Sequence, residues 1–199
     1  MSAKATRTQI VHEADRLFYE QGFEHTSFSD IADAVGISRG NFYYHFKSKD
    51  EILDAVIGLR LAKTRKMLED WEAEGAHPAD RIRSFIRILM TNQSKIMRYG
   101  CPVGTLCAEL AKLDHAMQDD AAGLFTLFRT WLVGQFEALG HREEADRLAM
   151  HLLARSQGVA SLANAFGDAD FIEREVDAMC GWLAGYGQSG DTQNAPGHH

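Results

Sequence analysis

Proline is scarce in this chain: it occurs at Pro78, Pro102 and Pro196 only, so nothing of that kind breaks a helix in the first half. Cysteine is scarcer than a disulfide scaffold needs. Cys101, Cys107 and Cys180 make an odd count, which argues against a disulfide framework and leaves any thiol chemistry to individual residues. No apolar run approaches the roughly 18 residues of a membrane span, and Met-Ser-Ala-Lys-Ala-Thr-Arg at the start lacks the apolar stretch of a signal peptide. A cytoplasmic protein that does not enter membranes is expected. What is present is a hydrophobic fraction of 45% in 199 residues, enough for a sizeable core, and a formal charge of -7. Helix formers dominate, and the chain reads as all-α.

From Thr6, apolar residues Ile10, Ala14, Leu17 and Phe18 recur at helical spacing until Gly22. Ser27 and Asp30 form a capping signature for a second short helix that Gly36 ends. Ser38 caps a third, from about Arg39 to His45. The three residues between them make the tight connection of a helix-turn-helix. Ser48 and Glu51 then open a long fourth helix to about Trp71 or Glu74. Beyond Gly75, the pattern predicts five more helices: Pro78 to near Gly100, a short one from Pro102, one through Met117 to Phe136, Glu143 to Phe166, and Phe171 to Tyr186. About nine helices result, in an N-terminal three-helix domain over 1–48 and a larger helical domain over 49–187. A polar tail, 188–199, is expected to be disordered.

The segment V-G-I-S-R-G-N-F-Y-Y-H-F-K-S-K, Val35 to Lys49, has four aromatic rings, a histidine and three cationic side chains but no carboxylate. Phe42 and Phe46, four apart, share a face that would pin the third helix to its neighbours. Rotating by about 100° per residue puts Gly40 and Tyr44 opposite Phe42, with Asn41 and Tyr43 on the flanks. An outward aromatic surface could simply rest in water. Beside Arg39, Lys47, Lys49 and His45, however, it has what duplex DNA asks for: a helix that fits the major groove, side chains for base edges and donors for phosphate oxygens. Net charge does not oppose this. Over residues 1–49, Lys4, Arg7, Arg16, Arg39, Lys47 and Lys49 balance Glu13, Asp15, Glu20, Glu24, Asp30 and Asp33, and screening over about 8 Å weakens the distant acidic excess.

The order T-S-F-S-D-I-A-D-A-V-G-I-S-R-G-N-F-Y-Y-H-F-K-S-K-D-E-I-L, Thr26 to Leu53, closely resembles the DNA-binding domain of the TetR family of bacterial transcriptional regulators. The resemblance implies an all-helical homodimer whose third helices enter adjacent major grooves of a palindromic operator. Such proteins usually act as repressors released by a small molecule. It implies further that Arg39, Gly40, Asn41 and Tyr43 face base edges and nearby backbone. Thr26, Ser38, Tyr44, His45 and Lys49 would hold phosphates.

The larger half is less explicit. Leu148, Leu152 and Val159 on one predicted helix, and Ile172, Val176, Met179 and Leu183 on the next, form stripes that are either core or, as the resemblance implies, the surface through which two subunits pair. Leu89, Met90, Gln93, Phe125, Phe128 and Trp131 line either a small-ligand pocket or a filled core. Cys101 stands just before a proline-started helix, where dipole and free N–H groups could favour a thiolate, although a free cysteine is commonly a small buried hydrophobe. Tyr99 to Leu110 is also similar to a stretch in TetR-like sensors of electrophiles and reactive oxygen or chlorine. A Cys101–Cys107 bridge is not expected, since six helical steps separate the pair by about 9 Å.

Two rivals remain at this level. An enzyme would need a catalytic or metal constellation, but the histidines at 12, 25, 45, 77, 115, 141 and 151 show no metal-ligand spacing and no serine lies in a G-x-S-x-G setting. No cofactor and no metal are expected. A helical protein-binding adaptor would leave Arg39 to Lys49 unexplained.

Overall fold

The computed structural model describes residues 3–187, and the tail expected to be disordered, 188–199, lies outside them. Among the described residues all regular structure is helical: α1 (Ala3–Gln21), α2 (Phe28–Val35), α3 (Arg39–His45), α4 (Lys49–Glu74), α5 (Pro78–Thr91), α6 (Gln93–Tyr99), α7 (Pro102–Lys112), α8 (Gln118–Ala138), α9 (Ala145–Phe166) and α10 (Ala169–Ala184). The nine expected helices are all present, and the fifth is divided in two. Asn92 leaves helical geometry, with φ -107° and ψ 13°. Its side-chain amide donates to the Ile88 carbonyl at 3.1 Å, the local bonding by which asparagine competes with a helix.

The chain forms two compact units, one running up to Arg65 and joined by Pro102–Phe125, the other comprising Lys66–Cys101 and the chain from Thr126. They do not part at residue 48, where a boundary was expected. The first three helices do not close a core alone, and Ile52, Leu53, Val56 and Ile57 of α4 and Leu106 and Leu110 of α7 are buried with them. Local signals shape the reading end of this unit. The Ser27 hydroxyl accepts the Asp30 N–H at 3.2 Å while the Asp30 carboxylate accepts the Ser27 N–H at 2.7 Å, a closed capping box. Gly36, in the left-handed region at φ 72°, ends α2. The Ser38 hydroxyl accepts the Asn41 N–H at 3.3 Å and starts α3. An ion pair ties the unit together lower down. Arg60 of α4, itself buried, reaches Asp15 of α1 at 2.6 Å and donates to the Pro102 carbonyl at the head of α7 at 2.7 Å.

In the second unit, α10 packs on α5 and α9, and α6 packs on α9. Gln93 donates to the Ala169 carbonyl at 3.1 Å, and Arg155 of α9 pairs with Glu175 of α10 at 2.8 Å. The stripes expected to meet a second subunit are filled from within this one. Leu148, Leu152, Val159, Ile172, Val176, Met179 and Leu183 are all buried inside their own subunit. Apolar residues on a helix bury against whichever neighbour the chain supplies, and here α5, α6 and the two helices themselves supply it. A buried side chain has no surface left to give to a partner.

Candidate nucleic-acid interface

The reading end is organised around α3. Phe42 and the residue that caps the helix, Phe46, are wholly buried. The guanidinium of Arg7 lies 4.5 Å from the centre of the Phe46 ring. With one face anchored, the other is turned out: Arg39, Gly40, Asn41, Tyr43 and Tyr44 are exposed, Tyr44 at 72%. Tyr43 is held by more than its backbone, because the Phe28 ring packs edge-on against it at 5.5 Å and lies tilted against Phe42 at 5.2 Å. His45 is half-buried and meets the Tyr44 ring at 5.2 Å. Lys47 reaches back to the Tyr43 carbonyl. Gly40 has an ordinary helical backbone, and a Cβ built on it would meet nothing within 4 Å. Nothing inside the fold asks for glycine there.

Two of the residues expected to hold phosphates are placed otherwise. Thr26 is fully buried, and its hydroxyl donates to the Gly22 carbonyl at 2.7 Å. Its side chain therefore serves the turn between α1 and α2. The Lys49 ammonium donates to the carbonyls of Phe23, Glu24 and Thr26 at 2.9, 3.1 and 3.3 Å and lies 4.3 Å from the Phe23 ring centre. An ammonium has three N–H groups, and this one uses all three within the fold. Ser38 remains exposed while capping α3. The Asp30 carboxyl is held below the ordinary carboxylate range by hydrogen bonds from the Ser27 hydroxyl and Ser27 amide.

Comparison with known proteins fits this geometry. Residues 10–56 match the model for bacterial regulatory proteins of the tetR family. Residues 78–176 match the C-terminal domain of LmrA/YxaF-like transcriptional regulators. The chain belongs to the TetR family. It is thus a DNA-binding transcriptional regulator and not an enzyme. A similar TetR-family structure, from Legionella pneumophila, superposes with a TM-score of 0.77 at 27% identity, over 86% of this chain and 93% of that one. An HTH-type regulator in the lacX 3' region of Lactococcus lactis subsp. lactis is 28% identical, over 87% of this chain and 91% of its own. The match to TtgR of Pseudomonas putida is higher, at 42%, but spans only 28% of this chain and 26% of that protein. DhaR of Mycobacterium sp. (strain GP1), named a repressor, is 24% identical over 79% of this chain and 82% of its own.

The other expected sites of this TetR regulator are distributed as follows. Phe125 belongs to the first compact unit, and Leu89, Met90, Gln93, Cys101, Phe128 and Trp131 belong to the second. Leu89 and Phe128 are buried, and Phe85 packs edge-on against Phe128 at 5.6 Å. The polar groups of the set already have partners: Gln93 bonds to the Ala169 carbonyl, and the Trp131 N–H donates to Glu72 at 2.8 Å. Cys101 is half-buried immediately before α7, and no disulfide joins cysteines among the described residues. Sequence reasoning missed Glu109. Its carboxylate accepts the Phe23 and Glu24 N–H groups, both at 2.9 Å, from a position far along the chain, and no local spacing announces such a pair.

Proposed function

We propose that this regulator binds a palindromic operator as a homodimer, inserts α3 of each subunit into the major groove, and acts as a repressor released by a small molecule or by modification of Cys101. The observation that carries the reading is the outward face of α3: Arg39, Asn41 and Tyr43 stand exposed on a helix anchored from behind by Phe42. Gly40 lies among them with open space above it, where a DNA backbone can approach. Arg39, Gly40, Asn41 and Tyr43 are assigned to bases and adjacent backbone. Ser38, Tyr44 and His45 are assigned to phosphates.

Pairing is assigned to the exposed side of α9 in place of its buried stripe. Met150, Ala154, Gly158, Leu162 and Phe166 follow one another at four-residue steps and are all exposed, Phe166 at 75%. Small residues at the centre of an apolar stripe let a partner helix come close. The repressor assignment draws on the name of DhaR. For release, the supporting features are the apolar residues around Leu89 and Phe128 and the half-buried Cys101.

Selection of bound duplexes from a random pool tests the reading. A twofold-symmetric sequence with half-sites about one helical turn apart, or a related interval, is the expected product. Recovery of no preferred sequence at low salt would refute it.

A further inference from the structure

The turn between α1 and α2 is held by two side chains of opposite charge, each taking one polarity of its backbone. Its acceptors go to a cation: the carbonyls of Phe23, Glu24 and Thr26 surround the Lys49 ammonium. Its donors go to an anion: the N–H groups of Phe23 and Glu24 each bond one oxygen of the Glu109 carboxylate. The fit around that carboxylate is close. A Cβ at Gly22 would fall 3.0 Å from Glu109 Oε1 and 3.3 Å from Oε2, and Gly22 has φ +93°, a conformation that glycine alone adopts readily. Glu109 is itself fixed, since Leu106 and Leu110 on the same helix are buried and the head of α7 accepts a hydrogen bond from Arg60.

We propose that Glu109 is a positioning residue for operator reading: its carboxylate sets the angle of the α1–α2 turn, and with it the placement of α2 and α3. The inference rests on the functional reading above but concerns a residue that touches no DNA. Water could satisfy the exposed Glu24 N–H, so the carboxylate is not needed merely to solvate the turn; two charge-assisted bonds from one rigid helix fix its position instead. From the turn to the reading face the chain has little slack. Ser27 caps α2 directly after Thr26, and only Gly36, Ile37 and Ser38 separate α2 from α3.

The test uses full-length Glu109→Ala and Glu109→Gln with the duplex selected by the wild-type chain and a scrambled duplex. Glu109→Ala is expected to bind the selected duplex about tenfold more weakly and the scrambled one within about twofold of wild type, with Glu109→Gln, which keeps one acceptor, between the two. Amide exchange is expected to quicken from Phe23 through α2 and α3. Equal weakening on both duplexes would mean a merely destabilised head and would overturn the inference. So would unchanged affinity for the selected duplex, or faster exchange confined to Phe23 and Glu24. Should Glu109→Ala not fold, Glu109→Gln is judged by the same criteria. If the wild type selects no duplex, the functional reading fails while the exchange measurement still decides the tether.

Discussion

The Lys49 ammonium lies over the Phe23 ring and also bonds to the carbonyl of that same residue. One cation thus grips both the ring and the backbone of a residue two positions beyond the end of α1.

Replacing Lys49 by alanine is therefore expected to destabilise the first unit by about 2 kcal/mol, the combined scale of a cation–π contact and hydrogen bonds to a charged group. Urea denaturation followed by tryptophan-independent circular dichroism reads it directly. A stability unchanged from wild type, with weaker DNA binding on every sequence, would return Lys49 to the phosphate role first expected of it.

Arg39 and Tyr43 should behave differently. Alanine at either position is expected to reduce discrimination between operator and scrambled duplex by about 1–3 kcal/mol, with the melting temperature nearly unmoved for Arg39 and modestly lowered for Tyr43, whose ring contacts with Phe28 and Phe42 are lost. Parallel binding isotherms on the two duplexes measure the difference.

The helix boundaries at this end were legible because they depend on neighbours in sequence: Ser27 with Asp30, Gly36 after Val35, and Ser38 before Arg39 all act within one turn. What holds the head in place was not. Lys49, Glu109 and Arg60 each find partners through the fold, and a single lysine, glutamate or arginine in a helix gives no sign of which backbone it will meet. The α9 and α10 stripes were legible as apolar faces, but periodicity cannot say whether such a face meets its own subunit or another, and the exposed stripe from Met150 to Phe166 is interrupted by Ala154 and Gly158.

That distinction can be measured. Leu162→Glu together with Phe166→Glu is expected to yield a folded monomer by light scattering at micromolar concentration. Leu152→Ala, by contrast, should keep the pair and cost about 2–5 kcal/mol of stability by leaving a cavity. A dimer that survives both glutamates would remove α9's outer face from the interface.

Arg60 offers a sharper test of the first unit. Its side chain is 9% exposed and that of Asp15 19%, so Arg60→Met leaves a poorly solvated carboxylate paired with the exposed Lys63 ammonium at 3.4 Å and is expected to destabilise by about 2 kcal/mol. Adding Asp15→Leu should recover much of that loss. A double variant no more stable than Arg60→Met would argue that the Pro102 carbonyl, not the carboxylate, is what Arg60 serves.

Acid should act late on the α2 cap. The Asp30 carboxyl is depressed in the folded chain, so its stabilisation is complete above the ordinary aspartate value and is lost as pH falls through the depressed one. The Ser27 amide resonance is expected to hold its shifted position below pH about 3.9 before moving. A midpoint at or above that value would contradict the box.

Position 22 carries two independent demands, a left-handed backbone and the carboxylate of Glu109 pressed against it. They are not symmetrical. Replacing the glutamate leaves the backbone demand on the glycine as it was, whereas any side chain at position 22 strains the backbone and also pushes the carboxylate away from the Phe23 and Glu24 N–H groups, so one replacement there loosens both holds on the turn.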